Sequence, residues 1–478
     1  MYRSSALGAC AIASAGFLGA CGSVPKDAGF ADVQRLAADR TGYVVQWNGH
    51  TSDDQATAAK VHELLNQALT ADQAVQIALL NNAHLQATFE DLGIAQADLV
   101  QAGLLKNPVF DLGVRFPDRG PSGTYLDIGA AEDFLDIALI PARRKLARAQ
   151  FDQAKATVSN EILSLAAEAR DAFYSYQAAE QMAQLRKTLA QAAGAAFDVA
   201  TQLHEAGNLD DLNFASQHAL AERSRVDLVE AQASASEARE HVNDLMGVFG
   251  SQTQWKIVAN LADVPVAEIS PEGLETRAMR QRQDVAAARQ DVLIQARVLG
   301  LTADYRFFQN VDLGPEFERE TDGQWRIGPT LSIPIPLFDQ GQAKIARAEA
   351  LLRQGEQRYY ALTVDVRAEV RGAIARLLNA REKALLYRDD VLPAAQDLLR
   401  QTQLQYNGMF VGVFQLLQAK RDQIDATRQY IEALRDYWTA RADLERAVGG
   451  RLMPAKPSTR PTSRPDFQQQ DNSQGDTP

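Results

Sequence analysis

From Ala142 to Leu203 the sequence contains no proline, and its first glycine is Gly194. A helix of about sixty residues is a rod of roughly 90 Å, far longer than a small domain is wide. A second run, from about Gly341 to Tyr406, is similar in length, with Pro393 predicting a kink. Along the first rod Ile162, Leu165, Ala169, Ala172, Tyr176, Ala179 and Ala183 fall on one heptad stripe. Leu163, Ala166, Arg170 and Phe173 form a second contact flank. Small residues on two seams suit a tube of helices, each packed on both neighbours, better than a dimeric coiled coil. A soluble coiled coil would explain the helices alone.

The rods belong to a tandem duplication. "LTADQAVQIALLNNAHLQATFEDLGIAQADLVQAGLLKNPVFDLGVRF", from Leu69, is echoed about 200 residues later by "ISPEGLETRAMRQRQDVAAARQDVLIQARVLGLTADYRFFQNVDLGPEF", from Ile269. Both open on an N-cap candidate, Thr70 or Ser270, run helically for over thirty residues and then alternate like a strand. "LARAQ" (146–150) answers "IARAE" (345–349), and "HEAGNLDDL" (204–212) answers "YNGMFVGVF" (406–414). Each half reads helix, strand, strand, long helix, turn, helix. The expected divisions are a signal at 1–20, an N-terminal arm at 21–68, a first repeat at 69–247 and a linking segment at 248–268. A second repeat at 269–450 and a Pro-, Ser- and Gln-rich disordered tail at 451–478 complete the chain. The strands are expected at about 108–132 and 306–333, the long helices at about 142–203 and 341–406.

The alternation sorts side chains by chemistry. Phe110, Leu112, Val114 and Phe116 face opposite Asp111, Gly113 and Arg115. Val311, Leu313 and Phe317 oppose Asn310, Asp312, Gly314 and Glu316; Trp325, Ile327, Leu331 and Ile333 oppose Arg326, Gly328, Thr330 and Ser332. "YLDIGAAED" is weaker, with Leu126 and Ile128 opposite Asp127. Segments of about nine to eleven residues suit tilted membrane strands, although a soluble sheet lying on a core alternates in the same way. The hairpins stand isolated between long helices and their polar faces carry both charge signs, which favours one face toward lipid and one toward a watery lumen. Four strands cannot close a barrel, and an open edge is not tolerated in lipid. The membrane reading therefore forces an oligomer.

The N-terminus "MYRSSALGACAIASAGFLGACGS" has one Arg, an apolar run and a small-residue site, the pattern of a secretory signal. The chain has two cysteines: Cys10 would leave with the signal, and Cys21 would be left at its end. Leu18-Gly19-Ala20-Cys21 resembles the bacterial lipoprotein signal, which implies acylation at Cys21; Gly22 after it implies sorting to the outer membrane. An ordinary signal peptide containing a Cys is the alternative. Residues 22–29 read as a flexible tether. The balance of 61 acidic against 49 basic residues argues against a nucleic-acid partner. Catalysis finds no motif: "HEAGN" (204–208) and "HELLN" (62–66) lack the second His of a zinc-protease site. No cofactor or metal is expected.

One stretch, "LSIPIPLFDQGQAKIARAEA" (331–350), turns a strand directly into a long helix. This stretch, with "VLPAAQDLLRQTQLQYNGMFVGVFQLLQAKR" (391–421), "LERAVGG" (444–450) and the arm "FADVQRLAADRTGYVVQW" (30–47), resembles the TolC family of outer-membrane efflux channels, in its lipoprotein branch, over roughly residues 30–450. The resemblance implies a mainly α chain with membrane β. Three chains would pool four strands each into a twelve-stranded β-barrel, continued by a twelve-helix α-barrel crossing the periplasm. It implies a homotrimer held in outer-membrane lipid, a periplasmic adaptor protein and an inner-membrane pump as partners, and a passive exit duct as function. Pro334 and Pro336 fit the strand-to-helix joint, and Pro141 is expected at the equivalent joint of the first half. Turns at Gly207 and Gly408 would form the periplasmic tip, where glycine permits the left-handed backbone of a tight reversal. Val411, Gly412 and Val413 resemble the adaptor-contacting motif. Asp210 and Asp211 would either cap a helix or form a cation-attracting ring at the mouth. A periplasmic adaptor or a structural coiled-coil lipoprotein is the alternative to a duct.

Overall fold

The computed structural model describes residues 23–49, 52–116, 118, 123–258, 260–307 and 311–452. The signal, Cys21 and the tail from 453 onward lie outside the described residues, as does Asn310. An N-terminal arm of α1 (Phe30–Thr41) and α2 (Ser52–Leu65) leads through β1 (Ala68–Leu69) to α3 (Ala71–Asn81), α4 (Ala83–Gln101), β2 (Val109–Arg115) and β3 (Tyr125–Asp133). Helix α5 (Phe134–Glu205) and helix α6 (Asp211–Met246) complete the first repeat, and β4 (Lys256–Ile257) follows. The second repeat holds α7 (Leu274–Gln281), α8 (Gln283–Asp304), β5 (Asp312–Arg319), β6 (Trp325–Ser332) and α9 (Gln342–Leu386). A π-turn (Tyr387–Val391), α10 (Leu392–Asn407) and α11 (Val413–Val448) close it.

Local chemistry explains the element ends. Thr70 starts α3 with a capping box: its hydroxyl accepts from Gln73 N at 3.3 Å, and the Gln73 side-chain Oε1 accepts from Thr70 N at 2.9 Å. Ser270 does not do the same. Gly273, left-handed at φ 74°, takes the cap of α7, because Pro271-Glu272-Gly273 makes a turn first. The expected thirty-residue helices are each broken once, at Asn82 and at Arg282, which share an extended backbone (ψ 119° and 131°). Both breaks dock on the end of the repeat's last helix. Asn82 Nδ2 donates to Leu245 O at 3.0 Å, and Arg282 Nη1 donates to Ala447 O at 3.2 Å. Those helices end on left-handed glycines, Gly247 (φ 65°) and Gly449 (φ 85°).

The first long helix begins earlier than its sequence suggests. It starts at Phe134, so Pro141 lies inside it and does not mark the joint. The run "LDIALI" (135–140) lacks period-2 alternation, and the chain enters helix as soon as β3 ends. In the second half Pro334 and Pro336 do lie between β6 and the helix, which starts after the left-handed Gly341. Pro393 sits just past the π-turn, where Leu392 N donates to Tyr387 O five residues back. Its missing N–H and its ring are accommodated by that widened turn.

The core lies around the middle of the rods. One cluster packs Val33, Leu69, Ile77, Leu79 and Phe89 against Ile162, Phe173 and Tyr176 of α5, with Met246 and Trp255. The other packs Ala278, Val366, Val370 and Leu377 against Leu434, Tyr437 and Leu444. The arm is clamped by a polar knot. Tyr43 donates to Asp72 at 2.5 Å; Arg170 donates to Tyr43 at 2.6 Å and pairs with Glu445; Arg451 reaches Asp72 at 3.1 Å. Burial disfavours the charge of Arg170, but Glu445 and the Tyr43 hydroxyl together outweigh it and the guanidinium proton is held more tightly than usual. Burial likewise pushes Asp72 up; the Tyr43 hydroxyl, Arg451 and Arg170 reverse this and hold its carboxyl below the ordinary range. Two residues expected in loose ends are packed instead: Ala28, and Leu452 beside Arg451.

Candidate functional site

The two hairpins join into one antiparallel sheet of order β2-β3-β5-β6. Its register lines up the alternation seen in the sequence. Leu112 pairs Ile128, Ile128 pairs Phe317 and Phe317 pairs Ile327, so one apolar row crosses all four strands. The next row, Gly113-Asp127-Glu318-Arg326, lies on the other face. Pro315 sits opposite Pro329, and the β3–β5 ladder is interrupted there because Pro315 offers no N–H. In the single chain the apolar row is exposed or half-buried, Ile327 at 71%. The polar face holds its own bonds: Tyr125 to Glu318, Thr330 to Glu316, and Arg115 over the Tyr125 ring at 5.4 Å. β2 and β6 are the outer strands and have no partner on their far sides within the sheet.

At the far end of the rods are the two helical turns. The first is a Schellman closure: Asn208 N donates to Leu203 O at 2.8 Å and Gly207 N to His204 O at 2.9 Å, with Gly207 at φ 75°. Asp210 caps α6 by accepting from Asn213 N at 2.9 Å. That backbone bond holds its carboxyl below the usual range. Asp211 follows in the first turn, 99% exposed, with one carboxylate oxygen 3.6 Å from His204 Nε2. His204 stacks on Phe214 at 4.5 Å, and Phe197 stacks on His218 at 4.8 Å.

The second turn is built one residue later than expected. Gly408 is not left-handed (φ −83°); Met409 is, at φ 62°. Met409 N donates to Tyr406 O and Phe410 N to Gln405 O, so Met409 stands where Gly207 stands in the first turn. A Cβ on Gly408 would lie 2.8 Å from the exposed Phe410 ring, which would have to swing aside. Gly412 is the N-cap of α11, whose first residue is Val413, and Val411 lies in the bend just before it. The tip is apolar and open, with Met409 at 93% and Phe410 at 85% exposure. Sequence reasoning missed Met409 and Phe410. The echo of "HEAGNLDDL" in "YNGMFVGVF" already set Met409 against Gly207 and was the signal available.

Among the described residues no helix is long and apolar enough to cross a membrane, and no cluster of His, Cys, Asp or Glu could hold a metal ion. The family model described as outer membrane efflux protein matches residues 132–248 and 274–450, one segment in each repeat. The chain belongs to the outer membrane efflux protein family. Its activity is efflux through the outer membrane, and the family supplies the channel of tripartite efflux systems. The cobalt-zinc-cadmium resistance protein CzcC of Cupriavidus metallidurans is 22% identical over 385 residues, 80% of this chain and 90% of CzcC. Among solved structures, the CmeC outer membrane channel of Campylobacter jejuni aligns at TM-score 0.70 and 14% identity, over 82% of this chain and 90% of CmeC. VceC of Vibrio cholerae aligns at 0.64 and 16%, over 82% and 96%. The TolC-like fold, long helices with short strand hairpins, is thereby established.

Proposed function

We propose that this efflux protein works as a homotrimeric, lipid-anchored exit duct, its sheets pooled into one twelve-stranded barrel. The observation that carries this reading is the sheet. An apolar row crosses four strands in exposed or half-buried positions, a charged row crosses the other face, and both outer strands lack partners within the sheet. Pairing β6 of one copy with β2 of the next satisfies those edges and puts the apolar row toward lipid. Cys21, two residues before the described chain begins, would carry the acyl anchor. The tips, with Gly207, Gly408, Val411, Gly412 and Val413, would meet a periplasmic adaptor that joins the duct to an inner-membrane pump. The exposed Met409 and Phe410 supply apolar contact there. Asp210 and Asp211 would draw cations toward the mouth. Metal cations are the favoured cargo, because the relative from Cupriavidus metallidurans is named for cobalt, zinc and cadmium resistance and on the sheet's charged face Asp111, Asp127, Glu316 and Glu318 outnumber Arg115 and Arg326.

Thiol scanning in liposomes tests the sheet orientation. In a Cys21→Ser background, Asp127→Cys and Arg326→Cys should react with a water-soluble maleimide, while Ile128→Cys and Ile327→Cys should be protected and quenched by lipid-borne probes. Equal reactivity of neighbours would mean that the sheet does not face lipid.

A further inference from the structure

We propose that the channel holds an anionic phospholipid of the inner leaflet, headgroup first, in a basic cavity beside Ser23 and Pro25. This rests on the membrane orientation proposed above. A cavity of about 830 Å³ lies between α4, α5 and α8, with Ser23 and Pro25 on its wall. Arg144, Lys145 and Arg148 of α5 and Arg297 of α8 line it. Arg148 is a helix-surface neighbour of both Arg144 (i, i+4) and Lys145 (i, i+3), so the three lie on one side of α5. Among the described residues these three make no salt bridge, and Arg297 donates to a backbone carbonyl, Lys145 O, at 2.8 Å. The nearby carboxylates are engaged: Asp136 binds Lys106 at 3.1 Å and Arg143 at 2.8 Å, and Asp152, on the wall, binds Lys155 at 3.0 Å. Four cations thus face an open cavity whose one lining carboxylate already has a cation. Leu99, Val100, Leu104 and Leu293 add an apolar side for glycerol and upper acyl carbons.

The height of the cavity selects the ligand. In both repeats an exposed or half-buried apolar stretch follows the strands and gives way to Lys and Arg in the same register. Lys145 and Arg148 answer Lys344 and Arg347 when "LARAQ" is set on "IARAE". Ile137 is exposed above the first pair, and Ile335, Leu337 and Phe338, the last at 92%, above the second. About 9 Å of helix axis separates Leu139 from Lys145, against a headgroup layer of roughly 5–8 Å on each side of the hydrocarbon. Side chains of a helix lean toward its N-terminus, and α5 begins at the membrane, so these cations reach back toward the phosphates. A basic pocket at that level fits a lipid phosphate. The wall formed by Ser23 and Pro25 also lies within a few residues of Cys21 in the sequence.

The test is native mass spectrometry of the full acylated channel released from detergent with added phosphatidylglycerol, phosphatidylcholine or inorganic phosphate. Phosphatidylglycerol should bind roughly tenfold or more tightly than phosphatidylcholine. Arg144→Gln/Lys145→Gln/Arg148→Gln should abolish that preference, and Arg144→Lys/Arg148→Lys should keep it. Because a triple variant can fail to assemble, photoactivatable phosphatidylglycerol on the wild-type channel gives an independent reading; label should fall on residues 144–152 and 290–297. Equal binding of the two lipids, displacement of the lipid by inorganic phosphate at similar concentration, or label elsewhere because a neighbouring copy fills the cavity would each overturn the site. A trimer that assembles and conducts without discriminating lipids defeats this site alone. A chain that never enters a bilayer defeats the membrane orientation beneath it.

Discussion

Single residues set the turns and clamps of this channel. Gly247 is left-handed, and a Cβ there would lie 2.6 Å from Asn81 O. Gly247→Ala should therefore lower stability by about 1–3 kcal/mol, read as a lower thermal midpoint of the assembled protein, whereas Gly194→Ala, with open space around it, should not. Asp72 makes the arm clamp acid-sensitive. Its carboxyl is held below the ordinary range, so its contribution is present above the unfolded value near 3.9 and is lost as pH falls through the lower folded value. Protease release of the arm should rise in that acid window in the wild type. In Asp72→Asn release should be raised at neutral pH and flat with acid; a wild-type arm that stays protected throughout would contradict the clamp. At the tip, Met409→Gly relieves a positive φ and should leave assembly intact while weakening adaptor capture, since it removes exposed apolar surface. The clamp was not legible in the sequence: Tyr43, Asp72, Arg170 and Glu445 are brought together from distant segments, with no local pattern to mark them. Gly408 misled because glycine at a helix end usually signals the left-handed position, and here that position falls on Met409.

At the scale of elements, period was the legible signal. Alternation located both hairpins and sorted their faces, and the pairing Leu112-Ile128-Phe317-Ile327 adds the register that no single strand could give. Ile327→Lys should cost about 2–4 kcal/mol on the lipid side and prevent stable insertion. Asp127→Asn, on the charged face, should assemble normally and alter ion selectivity, compared by heat-modifiable mobility and reversal potential. Helix boundaries were less legible. Pro141 suggested a joint, yet the helix runs through it from Phe134, since a proline marks what the backbone lacks and not where the strand has ended. The π-turn before Pro393 is a one-residue insertion in an otherwise regular rod. Deleting Asp390 should therefore keep the tip in register but return Pro393 to regular helix, so the deletion should be tolerated when combined with Pro393→Ala. Deleting Ala380, in regular helix, rotates everything beyond it by about 100° and should abolish assembly.

For the whole molecule, the duplication is the organising fact. Each repeat supplies one hairpin of strands and one hairpin of helices, and each ties its helix break to a left-handed glycine at its own end. Four strands with free outer edges are half of a solution; a closed wall needs other copies. The duct also makes the tip carboxylates testable, because Asp210→Asn/Asp211→Asn should reduce cation over anion selectivity without changing assembly. The most direct measurement of the pooled barrel is the oligomeric mass of the purified protein in detergent together with its single-channel conductance in a planar bilayer. Trimers giving small, cation-selective openings are the expected result. A monomer that stays soluble without detergent once Cys21 is replaced by Ser, and that never conducts, would contradict the barrel and with it the exit duct.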